Sequence, residues 1–540
     1  MRRTTRDAAP TDYRAAIAGL CRDDLAGCNL IVASNRGPVE FRRDPQGRLT
    51  HRRGQGGLVT AMSSMVEVLD TTWVASPLSD DDARAHQEAG GNLTVPMGEK
   101  RLRLAFVPSD PACFSAYYDD VSNSLLWFLQ HGITNAPEHP EFDERAWQAW
   151  ESYRQVNLSF ARAIAREAAR SPGRRPVVLV QDYHLYLVPL FLRRLLPEAF
   201  IQHFTHIAWP SSDAWRQLPG AIREELLKSL LSCEIVGFHT PRYVKNFCLT
   251  CEDLLGVEAD ALEGRVAYQG REVSVRAYPI SIDPEELRRF STSPEVAEQE
   301  KKLVEGRIHQ TLNLVQVART DPSKNILRSL KAFELFLDHH PQYHGKVRFW
   351  GVLPASRQGA KGYRDYLDRL KARAEAINRR FRRWGWEPVA FSFDNHYARA
   401  IAVMKHYDVL LVNSLADGMN LVAKEGPIVN QRKGVLLLSE TAGACEELSD
   451  GALSINPYDL VGMADALKQA LTMPLLQRER LQGLLRRRIE ANPVFRWVYA
   501  QLSDISEAQA PVRGRFWVAG PWLPATEPAR REGKERSRDA

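Results

Sequence analysis

No stretch of this chain could cross a membrane: its most apolar run, Val177–Leu196, is broken by Asp182, His184 and two arginines. Cysteine is scarce. Seven in 540 residues form no disulfide framework, and the odd count suits a reducing cytoplasm. Cys248 and Cys251 make a C-x-x-C in a helical-looking segment with no second pair at zinc-site spacing, so neither metal nor redox use is expected there. The N-terminus, MRRTTRDAAPTDYRAA, carries charge with no apolar segment behind it, which argues against a secretory signal. A dominant charge sign is also missing. Against 72 basic and 66 acidic residues, a net +6 is too small to argue for nucleic acid, and no basic stripe with interleaved aromatics is present. A substrate carrying phosphate would suit the same mild excess. There is no internal repeat.

What is present is a globular composition, 44% hydrophobic and 26% charged, in a chain long enough for two large domains. Short apolar, β-rich runs recur, each followed by a polar loop and a helical pattern. In the first half they are Leu30–Ala33, Val177–Gln181, Ile201–Ala208 and Glu234–His239; in the second, Leu314–Ala318, Val347–Val352, Val389–Phe393, Val409–Asn413 and Val435–Ser439. Continuous apolar runs of this length predict strands buried on both faces, hence parallel sheet, and the alternation predicts right-handed βαβ units: an α/β chain. From Asn325 to Leu337, Ile326, Leu330, Phe333 and Leu337 form one apolar stripe, with Pro322 and Ser323 as its start signal. A boundary is expected near Tyr278–Glu300. The resulting division is an N-terminal extension (1–27), two doubly wound domains (28–285 and 286–508) facing across a cleft, and a polar tail (509–540) expected to be disordered.

Open α/β sheets bind ligands past the carboxyl ends of their strands, which directs attention to a few loops. RTDPSKN (Arg319–Asn325) sets two cations beside a helix start, either a phosphate site or an ordinary solvated loop. LVNSLADGMNLVAKE (Leu411–Glu425) ends a buried strand in Asp417–Gly418 and is expected to start a helix at Met419–Asn420–Leu421. Asp417 and Glu425 are eight positions apart, about two helical turns, with Asp417 at the loop and Glu425 on the same side of the helix further along. They suit two hydroxylated parts of one ligand, or else a helix N-cap and a charged helix face. Ser34–Asn35–Arg36 ends the first strand, and Gly54, Gly56 and Gly57 punctuate HRRGQGGL, either a diphosphate loop or a plain turn. His184 follows the strand VVLV, as a ligand or as a structural histidine. Tyr118 and Trp127 could stack on a sugar or close a small core.

The order of these segments resembles that of the trehalose-6-phosphate synthases, retaining glycosyltransferases with two Rossmann-like domains in the GT-B arrangement. The matching segments are ASNRGPV, GQGGL, YYDDVSNSLLW, QDYHL, FTHIAWPSSDAWRQLP, GFHTPRYVKNF, PISID, RTDPSKN, PASR, DGMNLVAKE and GVLLLSETAGA, spanning Leu30 to Pro457. The resemblance implies that Arg319 and Lys324 clamp the donor diphosphate, with Gly57 against the donor phosphates. It implies that Glu425 holds the ribose hydroxyls, and that Asp417 with the backbone of Gly418, Met419, Asn420 and Leu421 holds the transferred sugar. His184 would contact that sugar near the reacting carbon. Arg36, Tyr118, Trp127 and Arg357 would surround the phosphate of a phosphorylated acceptor, with Glu151 where many members place an acceptor-contacting Asp.

The implied chemistry is front-face transfer, in which the leaving phosphate takes the acceptor proton and cations stabilise the diphosphate; no metal and no cofactor is required. Further departures are Gln181 for the first His of H-D-Y-H, His239 for Gln in G-F-Q-T, and Ser281 for Gly in P-I-G-I-D. QDYHL, SNRGPV and KEGPIVN resemble a branch with actinobacterial synthases and an aminocyclitol-coupling pseudo-glycosyltransferase. The implied reaction is transfer of glucose from UDP- or GDP-glucose to glucose 6-phosphate. The alternatives are another phosphorylated acceptor, such as glycerol 3-phosphate or a cyclitol phosphate, and an inactive scaffold. A homo-oligomer is compatible with the sequence but not specified by it.

Overall fold

The computed structural model describes residues 10–44, 46–53, 71–91, 93–97, 100–134, 138–357, 361–383 and 385–509. The glycine loop with Gly54, Gly56 and Gly57, and the tail beyond residue 509, lie outside the described residues.

The first half contributes β1 (Cys28–Arg36), a hairpin of β2 (Val39–Arg43) and β3 (Leu49–Arg53), then β4 (Thr71–Ser76), β5 (Leu93–Met97), β6 (Lys100–Phe106), β7 (Arg175–Gln181), β8 (Phe200–Phe204), β9 (Ile235–Phe238), β10 (Ala259–Asp260), β11 (Arg265–Tyr268) and β12 (Arg271–Ala277). All but the hairpin form one sheet in the order β10-β11-β12-β9-β8-β7-β1-β4-β6-β5. Its centre is parallel, and antiparallel strands close each edge. The second half contributes β13 (Leu312–Val317), β14 (Val347–Val352), β15 (Val389–Ser392), β16 (Val409–Val412), β17 (Val435–Ser439) and β18 (Leu453–Ile455), wholly parallel, in the order β15-β14-β13-β16-β17-β18.

Alternation along the strands explains why both sheets are covered on both faces. Leu30 and Val32 of β1 enter one apolar cluster while Ile31 and Ala33 enter another. Val315 of β13 joins the first of these clusters, and Leu314 enters a third. That first cluster therefore runs unbroken from one face of the N-terminal sheet to one face of the C-terminal sheet. The last helix, Val494–Gln509, returns to the N-terminal domain: its Trp497 packs edge-on against Phe204, with ring centroids 5.4 Å apart. Tyr278 donates to its Asp504 at 2.6 Å, and Gln202 donates to its Gln501 at 2.9 Å. The helix Tyr13–Asp23 packs on it in turn, with Arg14 lying 3.8 Å over the Phe495 ring. The chain thus crosses between the domains twice, near Ile280–Asp283 and near Asn492–Val494.

The expected helical stripe lies on the helix Ile326–His339, with Ile326, Leu330, Phe333 and Leu337 all buried. Pro322 and Ser323 do not lead straight into it. Asp321 caps a separate 3-10 turn, Pro322–Lys324, and Asn325 at φ +57° makes the break before Ile326. Cys248 and Cys251 are free and buried in the helix Pro241–Leu255. Among the described residues no helix is long and apolar enough to cross a membrane.

Candidate active site

Loops past the carboxyl ends of β1, β7 and β8 meet loops past β13, β14 and β16. On the C-terminal side, Lys324 forms an ion pair with the Asp417 carboxylate, both side chains largely buried. The same carboxylate accepts hydrogen bonds from Ser414 Oγ and Asn420 Nδ2, each at 3.0 Å. Burial pushes the Asp417 carboxyl up, but Lys324 outweighs it and holds the group below the usual carboxylate range. Met419–Leu421 do not start the helix as expected. Asn420 sits at φ +85°, in the left-handed region that Asn tolerates, and the helix spans Val422–Val429. Asp417 lies in the loop and Glu425 on the helix. Glu425 accepts from the Tyr397 hydroxyl at 3.0 Å, and burial raises its pKa.

Gly418 has a steric reason. A Cβ there would lie 1.9 Å from the His206 carbonyl oxygen, which belongs to the other domain. On the far side, a Cβ at Gly443 would lie 1.9 Å from the Gly418 carbonyl oxygen. The loop is thus pressed between domains, and Tyr243 of the N-terminal domain donates to the Asp417 carbonyl at 2.7 Å. Arg319 is exposed, pairs with no carboxylate among the described residues, and lies 5.6 Å from the Trp127 ring centroid.

The N-terminal side supplies the other wall. Tyr118 stacks on His184, with centroids 5.8 Å apart and planes 16° from parallel. Burial lowers the His184 pKa well below its ordinary value, and the charges of Arg357, Arg36 and Arg319 lower it further, so the ring is neutral near pH 7. Arg36 is half exposed at the mouth, 3.9 Å from Glu40. Trp127 is buried rather than exposed. The Arg357 guanidinium lies 3.9 Å over its ring and His131 stacks at 4.0 Å; two planar groups that close must take opposite faces. Arg357, at φ +44°, donates to Asp321 at 3.1 Å, to the Tyr363 hydroxyl at 2.6 Å and to the Tyr183 hydroxyl at 3.0 Å. Glu151 is not brought into this group. It is exposed on the helix Glu144–Ala169 and pairs with Arg154 at 2.7 Å, which also pairs with Glu225.

Three residues escaped the sequence reading. Asp321 is fully buried between Arg357 and the Trp127 indole N–H, which donates to it at 3.3 Å. Burial pushes its carboxyl up, but Arg357 and Arg319 hold it below the usual range. Its place between two cations of RTDPSKN was the only signal. His131, one helical turn after Trp127, donates Nδ1–H to the Trp127 carbonyl at 2.7 Å, and burial lowers its pKa to about 4. Asp182 sits at φ +73°, accepts from the His206 N–H at 3.1 Å, and is raised by burial to about 6. The departures at Gln181 and His239 flank one residue. Gln181 Oε1 lies 2.9 Å from His206 Nε2, and the His239 ring lies 5.2 Å from the His206 ring.

Comparison with known proteins agrees with this geometry. The model of glycosyltransferase family 20 matches residues 28–507. The chain is 36% identical over 467 residues to a UDP-forming alpha,alpha-trehalose-phosphate synthase of Aspergillus fumigatus, covering 84% of this chain and 91% of that protein. It is 31% identical over 491 residues to the validamine 7-phosphate valienyltransferase of Streptomyces hygroscopicus, covering 90% of this chain and 96% of that one. An E. coli structure bound with UDP-2-fluoro glucose superposes with a TM-score of 0.74 at 27% identity, covering 89% of this chain and 99% of that one. A Burkholderia xenovorans alpha,alpha-trehalose-phosphate synthase in complex with glucose-6-phosphate gives 0.76 at 28% identity, covering 88% and 99%. The two-domain α/β architecture is the GT-B fold, and the chain belongs to glycosyltransferase family 20, the trehalose-6-phosphate synthase family: it is a glycosyltransferase.

Proposed function

We propose that this enzyme transfers glucose from UDP- or GDP-glucose to glucose 6-phosphate with retention, making trehalose 6-phosphate. The observation that carries the reading is the gathering of four cationic side chains from both domains in one cleft. Arg319 and Arg357 both lie against Trp127, Arg36 joins them in lowering the pKa of neutral His184, and Lys324 sits on Asp417, a cationic lining that suits two phosphate-bearing ligands. The relatives' complexes with a UDP-glucose analogue and with glucose 6-phosphate support the same two ligands.

In this reading Lys324 exchanges Asp417 for the donor diphosphate, which Arg319 also faces, and Asp417 is freed to hold hydroxyls of the sugar. Glu425 takes the ribose hydroxyls, and Gly57 lies against the donor phosphates. Charge developing on the leaving diphosphate is met by two cations held in place beforehand, the arrangement that lowers a transfer barrier without reorganisation. Bound this way, the acceptor hydroxyl gives its proton to the leaving phosphate while the sugar becomes oxocarbenium-like. The protein's remaining task is to position two substrates. His184, neutral because buried among cations, contacts the sugar without adding charge beside the cationic carbon. The sandwich of His131, Trp127 and Arg357 fixes the acceptor's phosphate grip.

The test is the purified protein against UDP-, GDP- and ADP-glucose in combination with glucose 6-phosphate, glycerol 3-phosphate and a cyclitol phosphate, read as released nucleotide. Release is expected only when UDP- or GDP-glucose meets glucose 6-phosphate, with the α configuration kept in the product. Release with the cyclitol phosphate and none with glucose 6-phosphate would reassign the acceptor to the valienyltransferase type. Silence with every pair, in a protein that binds the nucleotides, would refute the transferase reading.

A further inference from the structure

Lys424 stands one residue before Glu425 and does not face the cleft. Its side chain is wholly buried. A buried ammonium requires partners, and those it has are informative. Nζ donates to the Ile280 carbonyl at 2.8 Å, in the first crossing between the domains. It also donates to Glu447 Oε2 at 2.5 Å. The other oxygen of Glu447 accepts from Asn492 Nδ2 at 3.2 Å, in the second crossing. The crossings are themselves joined, because Val494 N–H donates to the Ile282 carbonyl at 2.9 Å. One side chain from the short helix Val422–Val429 therefore ties both interdomain strands to the helix that also carries Glu425.

Contacts across the cleft give this tie something to control. His206 of one domain leaves no room for a Cβ on Gly418 of the other, and Tyr243 bonds the Asp417 carbonyl. These contacts hold the Asp417–Gly418 loop against the N-terminal domain, so the angle between the domains sets how near that loop stands to the opposite wall. Hydrophobic burial of the crossings, where Ile280 and Ile282 pack, fixes them in the core but is non-directional. Directional bonds from a single ammonium fix how the donor helix is rotated against them.

We propose that Lys424, through Glu447, is a positioning residue that couples occupancy of the nucleotide end of the cleft to the relative orientation of the two domains. It does so by holding the helix of Glu425 in register with both crossings. This rests on the reading of the cleft as a nucleotide-sugar site, but nucleotide binding and domain closure can be measured without turnover.

The experiment uses the full chain and the variants Lys424→Met and Lys424→Met/Glu447→Gln. Methionine keeps the length of the side chain, and the double variant leaves no unpaired buried carboxylate should the single one fail to fold. UDP and GDP affinity is read by calorimetry, and closure by small-angle scattering with and without UDP plus glucose 6-phosphate. Turnover is measured on the donor and acceptor pair that the wild type uses. The expected result is a wild type that compacts on binding, and variants that bind nucleotide within threefold of it yet fail to compact and lose tenfold or more in kcat. Three results would overturn the proposal: variants that compact and turn over normally, variants whose nucleotide affinity falls as far as their turnover, or a wild type that does not compact. A wild type that binds and compacts but turns over none of the tested pairs would sink the proposed reaction while leaving the coupling to be judged on closure.

Discussion

Replacing Gly418 by alanine asks whether the closeness of the two domains at the DGMN loop matters for transfer. The added Cβ would lie 1.9 Å from the His206 carbonyl oxygen and 3.0 Å from His239 Cδ2. Contacts under 3.0 Å are essentially never made by a real Cβ, so loop and backbone must part by at least 1.1 Å. The obstacle is main chain, next to an N–H that Asp182 holds, and not the far end of a flexible side chain. Overpacking of this kind costs about 1–3 kcal/mol in stability. A misplacement of about 1 Å between reacting groups costs roughly a hundredfold in rate. Gly418→Ala is therefore expected to fold with a lowered melting temperature and to lose about 100-fold in kcat/KM, mostly in kcat. The control is Gly19→Ala in the helix Tyr13–Asp23, where a Cβ meets nothing within 4 Å. There a helix gains about 0.5–1 kcal/mol from losing a glycine, with kinetics unchanged. Calorimetric melting and steady-state release of nucleotide read both variants. A Gly418→Ala enzyme within threefold of wild type in kcat/KM would refute the argument.

Arg357→Gln strands the Asp321 carboxylate in a fully buried position, so a loss of about 3–5 kcal/mol in unfolding free energy and a raised acceptor KM are expected. Adding Asp321→Asn should restore stability in urea melts but not the KM; recovery of both would mean that Arg357 does not grip the acceptor. Asp182, at about 6 when folded against about 3.9 unfolded, gives the fold a contribution that is complete below pH 3.9 and lost as pH rises through 6. Asp182→Asn should thus be more stable than wild type at pH 7.5, by on the order of 2–3 kcal/mol, with the gain vanishing near pH 4. A difference independent of pH would contradict that burial. Glu151→Gln should leave the acceptor KM within twofold, because the carboxylate is engaged by Arg154; a tenfold rise would return it to the acceptor site.

The parallel C-terminal sheet and the parallel centre of the N-terminal one were legible in the sequence, because strands covered on both faces must be continuously apolar, and most of these are. Val347–Val352 and Val435–Ser439 carry the pattern residue for residue. β4 and β6 were not legible: TTWVAS is buried despite its threonines, and KRLRLAF alternates exposed arginines with buried leucines. The same apolar runs point to the loops that line the cleft, since Arg36, His184, Arg319 and Asp417 all lie at or past strand ends. How those loops combine depends on the packing of the two domains. Asp417 at a loop and Glu425 on a helix are both legible, but not what each engages: Asp417 pairs with Lys324 and Glu425 accepts from Tyr397, across a turn in which Asn420 adopts φ +85°. Trp127, which the sequence leaves to stack on a sugar or close a small core, is buried against Arg357 of the other domain, where its indole N–H reaches Asp321, nearly two hundred residues away. The last helix ends the second domain in sequence and completes the first in space. Periodicity is local and records how much of each residue is covered. Which partner covers it depends on contacts between distant segments, and those are fixed only when both sheets and the helices between them pack together.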